Sequence, residues 1–111
     1  MEISTIENED IKIVTLNGSL DTNTAPDAET CLMEMINSGQ LKLIVDLENL
    51  EYISSAGLRV LLASTKTMKS NGGEFHICNP NEMVTEVFEM SGFNMIFKIF
   101  NSREDAISAY G

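Results

Sequence analysis

Short apolar runs alternate with segments of helical period along nearly the whole chain, and that alternation confines it to a small set of layered α/β folds. Ile3 to Ile6 and Ile11 to Leu16 are rich in β-formers and flank the acidic tetrad Glu7-Asn8-Glu9-Asp10, which predicts an antiparallel hairpin with a polar turn. Thr24-Ala25-Pro26-Asp27 predicts a helix start, with Thr24 as N-cap, a proline in the first turn and an acid three residues on. Ala28, Cys31, Leu32, Met35 and Ile36 then recur at helical spacing, and Gly39 stands where a left-handed C-cap belongs.

Leu41 to Leu47 is a continuous apolar run broken by Lys42 and Asp46, as expected of a buried strand. A second helix places Leu58, Leu61, Leu62, Thr65 and Met68 on one face and ends at Asn71-Gly72-Gly73. Phe75 to Cys78 reads as a strand. Asn79-Pro80 opens a third helix, with Met83, Val84, Val87 and Phe88 inward and Gly92 closing it. Phe97 to Phe100 is the last strand, and Ser102 caps a final helix through Ala106 and Ile107.

The order is β-β-α-β-α-β-α-β-α. After the hairpin every helix leads from one strand to the next, which forces parallel pairing through right-handed crossovers. The expected fold is a single α/β domain over residues 1–111, with a mixed, mostly parallel β-sheet, an antiparallel edge strand and about four covering helices. A chain of 111 residues buries enough surface for one core without staples.

Seven Lys and Arg against seventeen Asp and Glu leave a net charge of −10. Proteins that bind nucleic acid directly need clustered positive charge to displace counterions, and anionic lipid asks for the same, so neither partner is expected. No apolar stretch approaches the length that spans a bilayer, and Met1-Glu2-Ile3-Ser4-Thr5 lacks the basic and apolar regions of an export signal. These features predict a cytoplasmic protein, monomeric when free, with Cys31 and Cys78 as reduced core residues. The single histidine, His76, lies within a strand and reads as a solvent-facing or satisfied imidazole, so no metal cluster is expected.

In open α/β sheets, sites gather in the loops leaving the carboxyl ends of strands. Here those are Asn17 to Thr24, Glu48 to Ser55 and the Asn79-Pro80 turn. None carries a dinucleotide fingerprint, a P-loop or a nucleophile elbow, and no cofactor is expected. Asp46 ends a strand as a phospho-accepting aspartate would. The companion carboxylates such a site needs for a divalent cation are missing where Asn17-Gly18-Ser19 stands, so Asp46 reads as a solvated strand-end carboxylate.

The informative loop is Glu48-Asn49-Leu50-Glu51-Tyr52-Ile53-Ser54-Ser55-Ala56-Gly57-Leu58. Ser54 or Ser55 serves as the N-cap of the second helix, or one of them is a functional serine; the spacing leaves both open. Gly57, just inside that helix, costs about 1 kcal/mol against alanine, so packing or access demands a small residue there. Tyr52, Ile53 and Leu58 read as core residues that could also frame a contact surface.

From Asp46 to Leu58 the sequence closely resembles the signature of STAS domains of the bacterial anti-sigma factor antagonist family. Leu16-Asn17-Gly18-Ser19-Leu20-Asp21 is similar to the family's second-strand motif, Asn71-Gly72-Gly73-Glu74-Phe75 to its turn before the fourth strand, and Met90-Ser91-Gly92-Phe93 to the end of its third helix. The family's core motif is Asp-Ser-[Ser/Thr/Ala]-Gly-Leu, whose serine accepts phosphate. Aligned on Gly57-Leu58, that serine is Ser55, Ala56 is an accepted variant, and Ser54 replaces the aspartate.

The resemblance implies a binding protein and not a catalyst. In its unphosphorylated form it would bind an anti-sigma factor that is itself a serine kinase and so free the sigma factor. Phosphorylation of Ser55, with Ser54 as the rival acceptor, would end binding, and a metal-dependent serine phosphatase would reset it. By the same resemblance Asp21, Thr24, Ser54, Ser55, Ala56, Gly57 and Leu58 form the partner surface, although Asp21 also fits a plain polar loop residue ahead of the Thr24 cap. The alternative is a STAS scaffold whose binding does not depend on serine phosphorylation, suggested by the missing aspartate at Ser54.

Overall fold

The structure, a computed structural model, describes residues 1–110. Strands β1 (Glu2–Asn8) and β2 (Ile11–Leu20) form the hairpin, in register from Glu2 opposite Asn17 to Asn8 opposite Ile11. Helix α1 (Ala25–Asn37) leads to β3 (Lys42–Asp46), and β4 (Leu50–Ile53) follows after a short turn. Helix α2 (Ser55–Ser70), β5 (Glu74–Cys78), α3 (Glu82–Ser91), a single 3₁₀ turn at Phe93–Met95, β6 (Lys98–Phe100) and α4 (Arg103–Ser108) complete the chain. The strand order is β1-β2-β3-β5-β6, antiparallel at the β1 edge and parallel elsewhere, with β4 pairing parallel to the last residues of β2.

Strand alternation divides the apolar residues between two cores. Val14 and Leu16 of β2, Leu43 and Val45 of β3, and Phe75 and Ile77 of β5 pack with Leu32 of α1, Leu61 of α2 and Phe88 of α3 in the larger one. The intervening residues Ile11, Ile13, Ile44 and Cys78 form a smaller core under α4 with Ala106, joined by Phe100, Ile107 and Tyr110. Each fully buried Leu, Ile or Phe stabilises the fold by about 1.5–3 kcal/mol. A one-residue slip of any inner strand would exchange the two sets and is therefore resisted from both faces.

Helix α4 has only six residues and is held by specific contacts beyond its own turns. The Tyr110 hydroxyl accepts from Leu43 N at 3.1 Å and lies 2.6 Å from Leu43 O and 2.7 Å from Glu74 O, either of which takes its proton. His76 is buried, stacks on Tyr110 with ring centroids 3.9 Å apart, and sets Nδ1 3.0 Å from Ala106 O. The imidazole is thus satisfied by the final helix.

Several local expectations are corrected. The segment Glu48 to Ser55 contains strand β4 and is no plain loop, and β2 runs to Leu20 in place of ending at Leu16. Leu50, Glu51, Tyr52 and Ile53 are buried at the two ends and exposed between, with no alternation to mark a strand; pairing with β2 creates it. Asp46 is no solvated carboxylate: it is 1% exposed. Its Oδ1 accepts from Glu48 N at 3.0 Å and Asn79 Nδ2 at 3.2 Å, and its Oδ2 takes Arg103 Nε at 3.0 Å and Nη2 at 2.9 Å. Met83 is half exposed, Leu41 is exposed ahead of β3, Phe97 precedes β6, and Cys31 lies only partly within the core. The third helix begins at Glu82 with Asn81 as its cap, because the asparagine side chain accepts from Val84 N at 2.8 Å.

Candidate functional site

The end of β2 and the start of α2 meet through β4. Gly18 has φ +106°, and the pairing of β2 with β4 shifts register between Gly18 and Ser19. Only glycine takes that conformation without strain, and the shift carries Ser19 and Leu20 opposite Tyr52 and Ile53. Leu20 O then accepts from Ser54 N at 2.9 Å. Asp21, next in sequence, therefore stands on the same rim as Ser54.

Gly57 is where the helix touches the sheet. A β-carbon there would lie 2.8 Å from Leu20 O, from Leu20 Cγ and from Ile53 Cγ1. Close approach of backbone to backbone explains the small residue that helix propensity alone disfavours. Leu58 and Ile53 are buried in the larger core, Ala56 packs against it, and Tyr52 is left exposed on β4. Of the three residues expected to be core with a share in the surface, Tyr52 is the one that faces outward.

The two serines are placed differently. Ser54 is extended at φ −101° and ψ 177°, partly buried, and its hydroxyl accepts from Gly57 N at 3.4 Å. It is the N-cap of α2. Ser55 is the first helical residue, is exposed, and makes no side-chain hydrogen bond among the described residues. The cap assignment left open by spacing thus falls to Ser54, and the free hydroxyl to Ser55.

Asp21 and Thr24 close a turn of their own beside these residues. Asp21 Oδ1 accepts from Asn23 N at 2.9 Å and Thr24 N at 3.1 Å. Thr24 Oγ1 accepts from Asp21 N at 2.9 Å and donates to Ser19 O at 2.7 Å. Thr24 holds the position before α1, but it corrects the expectation of a capping side chain: its hydroxyl is turned back to β2 and makes no cap bond to the helix. The fold brings together Asp21, Thr24 and Ser54 to Leu58 at one end of the sheet, with Ser55 the most accessible hydroxyl on α2's first turn.

The Asp46–Arg103 pair was not foreseeable from local sequence, because its members are 57 residues apart. Asp46 shares strand parity with Ile44, so the pair lies on the α4 side and serves the scaffold. Arg103 Nη2 also reaches Thr15 Oγ1 at 3.3 Å. Burial pushes the neighbouring Cys78 thiol up to about 12, helped by the Asp46 charge, so it is unreactive near neutral pH. Cys31 is also raised, by burial first and by Glu34 second. Among the described residues no group of three His, Cys, Asp or Glu could hold a metal ion, and no helix is long and apolar enough to cross a membrane. The surface hollows beside α1 and around Tyr110 are lined by none of the residues at this rim.

The family model for the STAS domain matches residues 2–106. A protein of Bordetella bronchiseptica named "Putative anti-sigma factor antagonist BtrV" is 41% identical over 88% of this chain and 84% of its own. The crystal structure of a second protein so named, from Thermotoga maritima, superposes with a TM-score of 0.92 at 26% identity, over 96% of this chain and 92% of that one. The anti-sigma F factor antagonist of Paenibacillus polymyxa is 29% identical over 97% of this chain and 93% of its own.

Proposed function

The chain belongs to the STAS domain family, and from that premise we propose that it is an anti-sigma factor antagonist whose binding is switched off by phosphorylation of Ser55. The observation that supports Ser55 over Ser54 is the division of labour at the start of α2: Ser54 Oγ is engaged as the cap, while the Ser55 hydroxyl is exposed and unbonded among the described residues. The partner is an anti-sigma factor, as the names of relatives suggest, and one with serine kinase activity, as the family resemblance implies. Asp21, Thr24 and the first turn of α2 supply the contact surface.

Phosphoryl transfer forms a bond between Ser55 Oγ and the γ-phosphorus of a nucleoside triphosphate held by the kinase. The bond from that phosphorus to the β,γ-bridging oxygen breaks, the diphosphate leaves, and the serine proton passes to the kinase's base or to water. The product carries about −1.5 to −2 extra charge at a helix N-terminus, where free N–H groups and the helix dipole tolerate an anion. The fold is therefore preserved and the surface changes. A partner seated on this rim then meets a bulky anion on a protein already at −10. A hundredfold loss of affinity requires only about 2.7 kcal/mol, and misplaced charge in an interface can cost several. A serine phosphatase that uses metal ions would hydrolyse the phosphoester and restore binding.

A second reading has a specific observation in its favour: Ser54 occupies the place where the family's motif carries aspartate. On that reading the chain binds its partner constitutively. Intact-mass and fragment-ion analysis of the protein from its native host, in growth and under stress, decides between them. A single phosphate on Ser55 with occupancy that changes between conditions is expected. Phosphate on Ser54 reassigns the acceptor. Its absence throughout, with the host's kinases and ATP also failing to add it, leaves the constitutive reading.

A further inference from the structure

We infer that Arg59 is the built-in counter-charge of the Ser55 switch: its guanidinium has no ion-pair partner among the described residues and is drawn onto the phosphate once Ser55 is modified. The inference rests on the reading of Ser55 as the phosphoacceptor and adds to it a second residue, with a consequence for what the partner meets.

Ser55 and Arg59 are four residues apart on α2 and both are exposed. Side chains at that spacing lie on one helix face with β-carbons about 6 Å apart, within reach of an arginine and a phosphoserine. The chain has seven basic residues, and Lys12, Lys42, Lys98 and Arg103 are each committed to a carboxylate. The other three, Arg59, Lys66 and Lys69, form no ion pair among the described residues, and all three are on α2.

Nothing on the helix competes for them, because the sequence Ser55–Ser70 contains no acidic residue. The flanking acids Glu48, Glu51 and Asp21 make no ion pair with Arg59 either. In a chain with seventeen acidic residues, a helix free of them keeps its one arginine available. Lys66 stands eleven residues beyond Ser55, about 16 Å along the helix, and cannot replace it.

Arginine suits the task because its planar fork can donate two parallel hydrogen bonds to phosphate oxygens, which an ammonium cannot reproduce. Modification then alters the surface twice. It adds an anion at Ser55 and removes a free guanidinium one turn away. A partner that places a carboxylate or carbonyl oxygen against Arg59 loses that contact at the moment it meets the phosphate.

The test uses the full chain with phosphoserine incorporated at position 55 during synthesis, so that it does not depend on any kinase. Phosphorus NMR follows protonation of the phosphate in the parent, Arg59→Gln, Arg59→Lys and Lys66→Gln chains, each shown to be folded by circular dichroism. Removing the counter-charge in Arg59→Gln is expected to tighten proton binding by the phosphate about threefold, as fits an exposed pair. Lys66→Gln should leave it unchanged, Arg59→Lys should retain most of the parent's value, and 1 M salt should erase the difference. The Arg59 Nε–H resonance should move downfield in the phosphorylated parent and Lys66→Gln chains, and stay in place when Ser55 is unphosphorylated.

Equal titrations of Arg59→Gln and Lys66→Gln, or an Arg59 resonance indifferent to the phosphate, would overturn the inference. Failure of the underlying reading looks different: the host never phosphorylates Ser55, whatever the titration of the synthetic phosphoprotein reports.

Discussion

Leu20 O and Gly57 are in such close contact that a single added methyl group at Gly57 would stand 2.8 Å from the carbonyl oxygen. The same carbonyl receives Ser54 N at 2.9 Å. One peptide group at the end of β2 thus fixes both the cap of α2 and how tightly the helix seats. The position of Ser55 follows from these two contacts.

Gly57→Ala should therefore destabilise the protein although alanine is the better helix former. Overpacking against backbone costs about 1–3 kcal/mol and outweighs a gain of about 1 kcal/mol in propensity. Urea denaturation should show the midpoint falling with an unchanged slope. A midpoint that rises would mean that the helix shifts freely away from Leu20.

Ser54→Ala and Ser55→Ala should separate stability from modification. Loss of the Ser54 cap costs about 0.5–1 kcal/mol, at the lower end of its class because the bond is 3.4 Å long. Ser55→Ala, which removes an exposed hydroxyl, should stay within about 0.5 kcal/mol of the parent. Incubation with the partner kinase and ATP, followed by mass spectrometry, should add phosphate to Ser54→Ala and none to Ser55→Ala.

Arg103→Met tests the buried carboxylate. It strands Asp46, 1% exposed, without its cation, while Asn79 Nδ2 and Glu48 N remain. Breaking a fully buried pair costs about 3–5 kcal/mol; with the Arg103 side chain 34% exposed, about 2 kcal/mol is the expected loss. Amide hydrogen exchange should quicken first in α4. The double variant Asp46→Asn/Arg103→Met should recover part of the loss, and failure to do so would mean that Arg103 acts through packing alone.

His76 sets the pH dependence. Burial lowers its pKa below the ordinary 6.5, against the opposing pull of Ala106 O and Glu74. The unfolded chain therefore takes up a proton first as pH falls. The stability associated with the neutral ring is fully present above about pH 6.5 and is lost as pH drops from there toward the lowered folded value. Each proton taken up only by the unfolded chain costs about 1.4 kcal/mol per pH unit. Glu74, held low chiefly by Lys98, loses its contribution only below the ordinary carboxylate value of 4.5, whereas the loss from His76 already begins near 6.5. Urea midpoints from pH 7.5 to 5 should fall for the parent and flatten for His76→Phe; equal slopes would remove His76 from the account.

The sequence by itself determined the parts that depend on neighbours along the chain. Alternation and helical period set the α/β order, Pro26 and Gly39 marked the ends of α1, and the run from Asp46 to Leu58 marked the candidate site with its requirement for a small residue at Gly57. What the tertiary structure alone decided was the set of groups facing one another across many residues. Strand β4 exists because β2 offers it an edge from Gly18 to Leu20, and Thr24 turns from its helix because Ser19 O lies within reach. Asp46 is buried because Arg103, 57 residues on, meets it there. Two adjacent serines with the same local chemistry acquire different roles only when α2 packs on Leu20, engaging one hydroxyl as a cap and leaving the other in solvent. Short-range preferences are additive along the sequence, whereas burial and pairing are properties of the assembled surface, and no residue carries them alone.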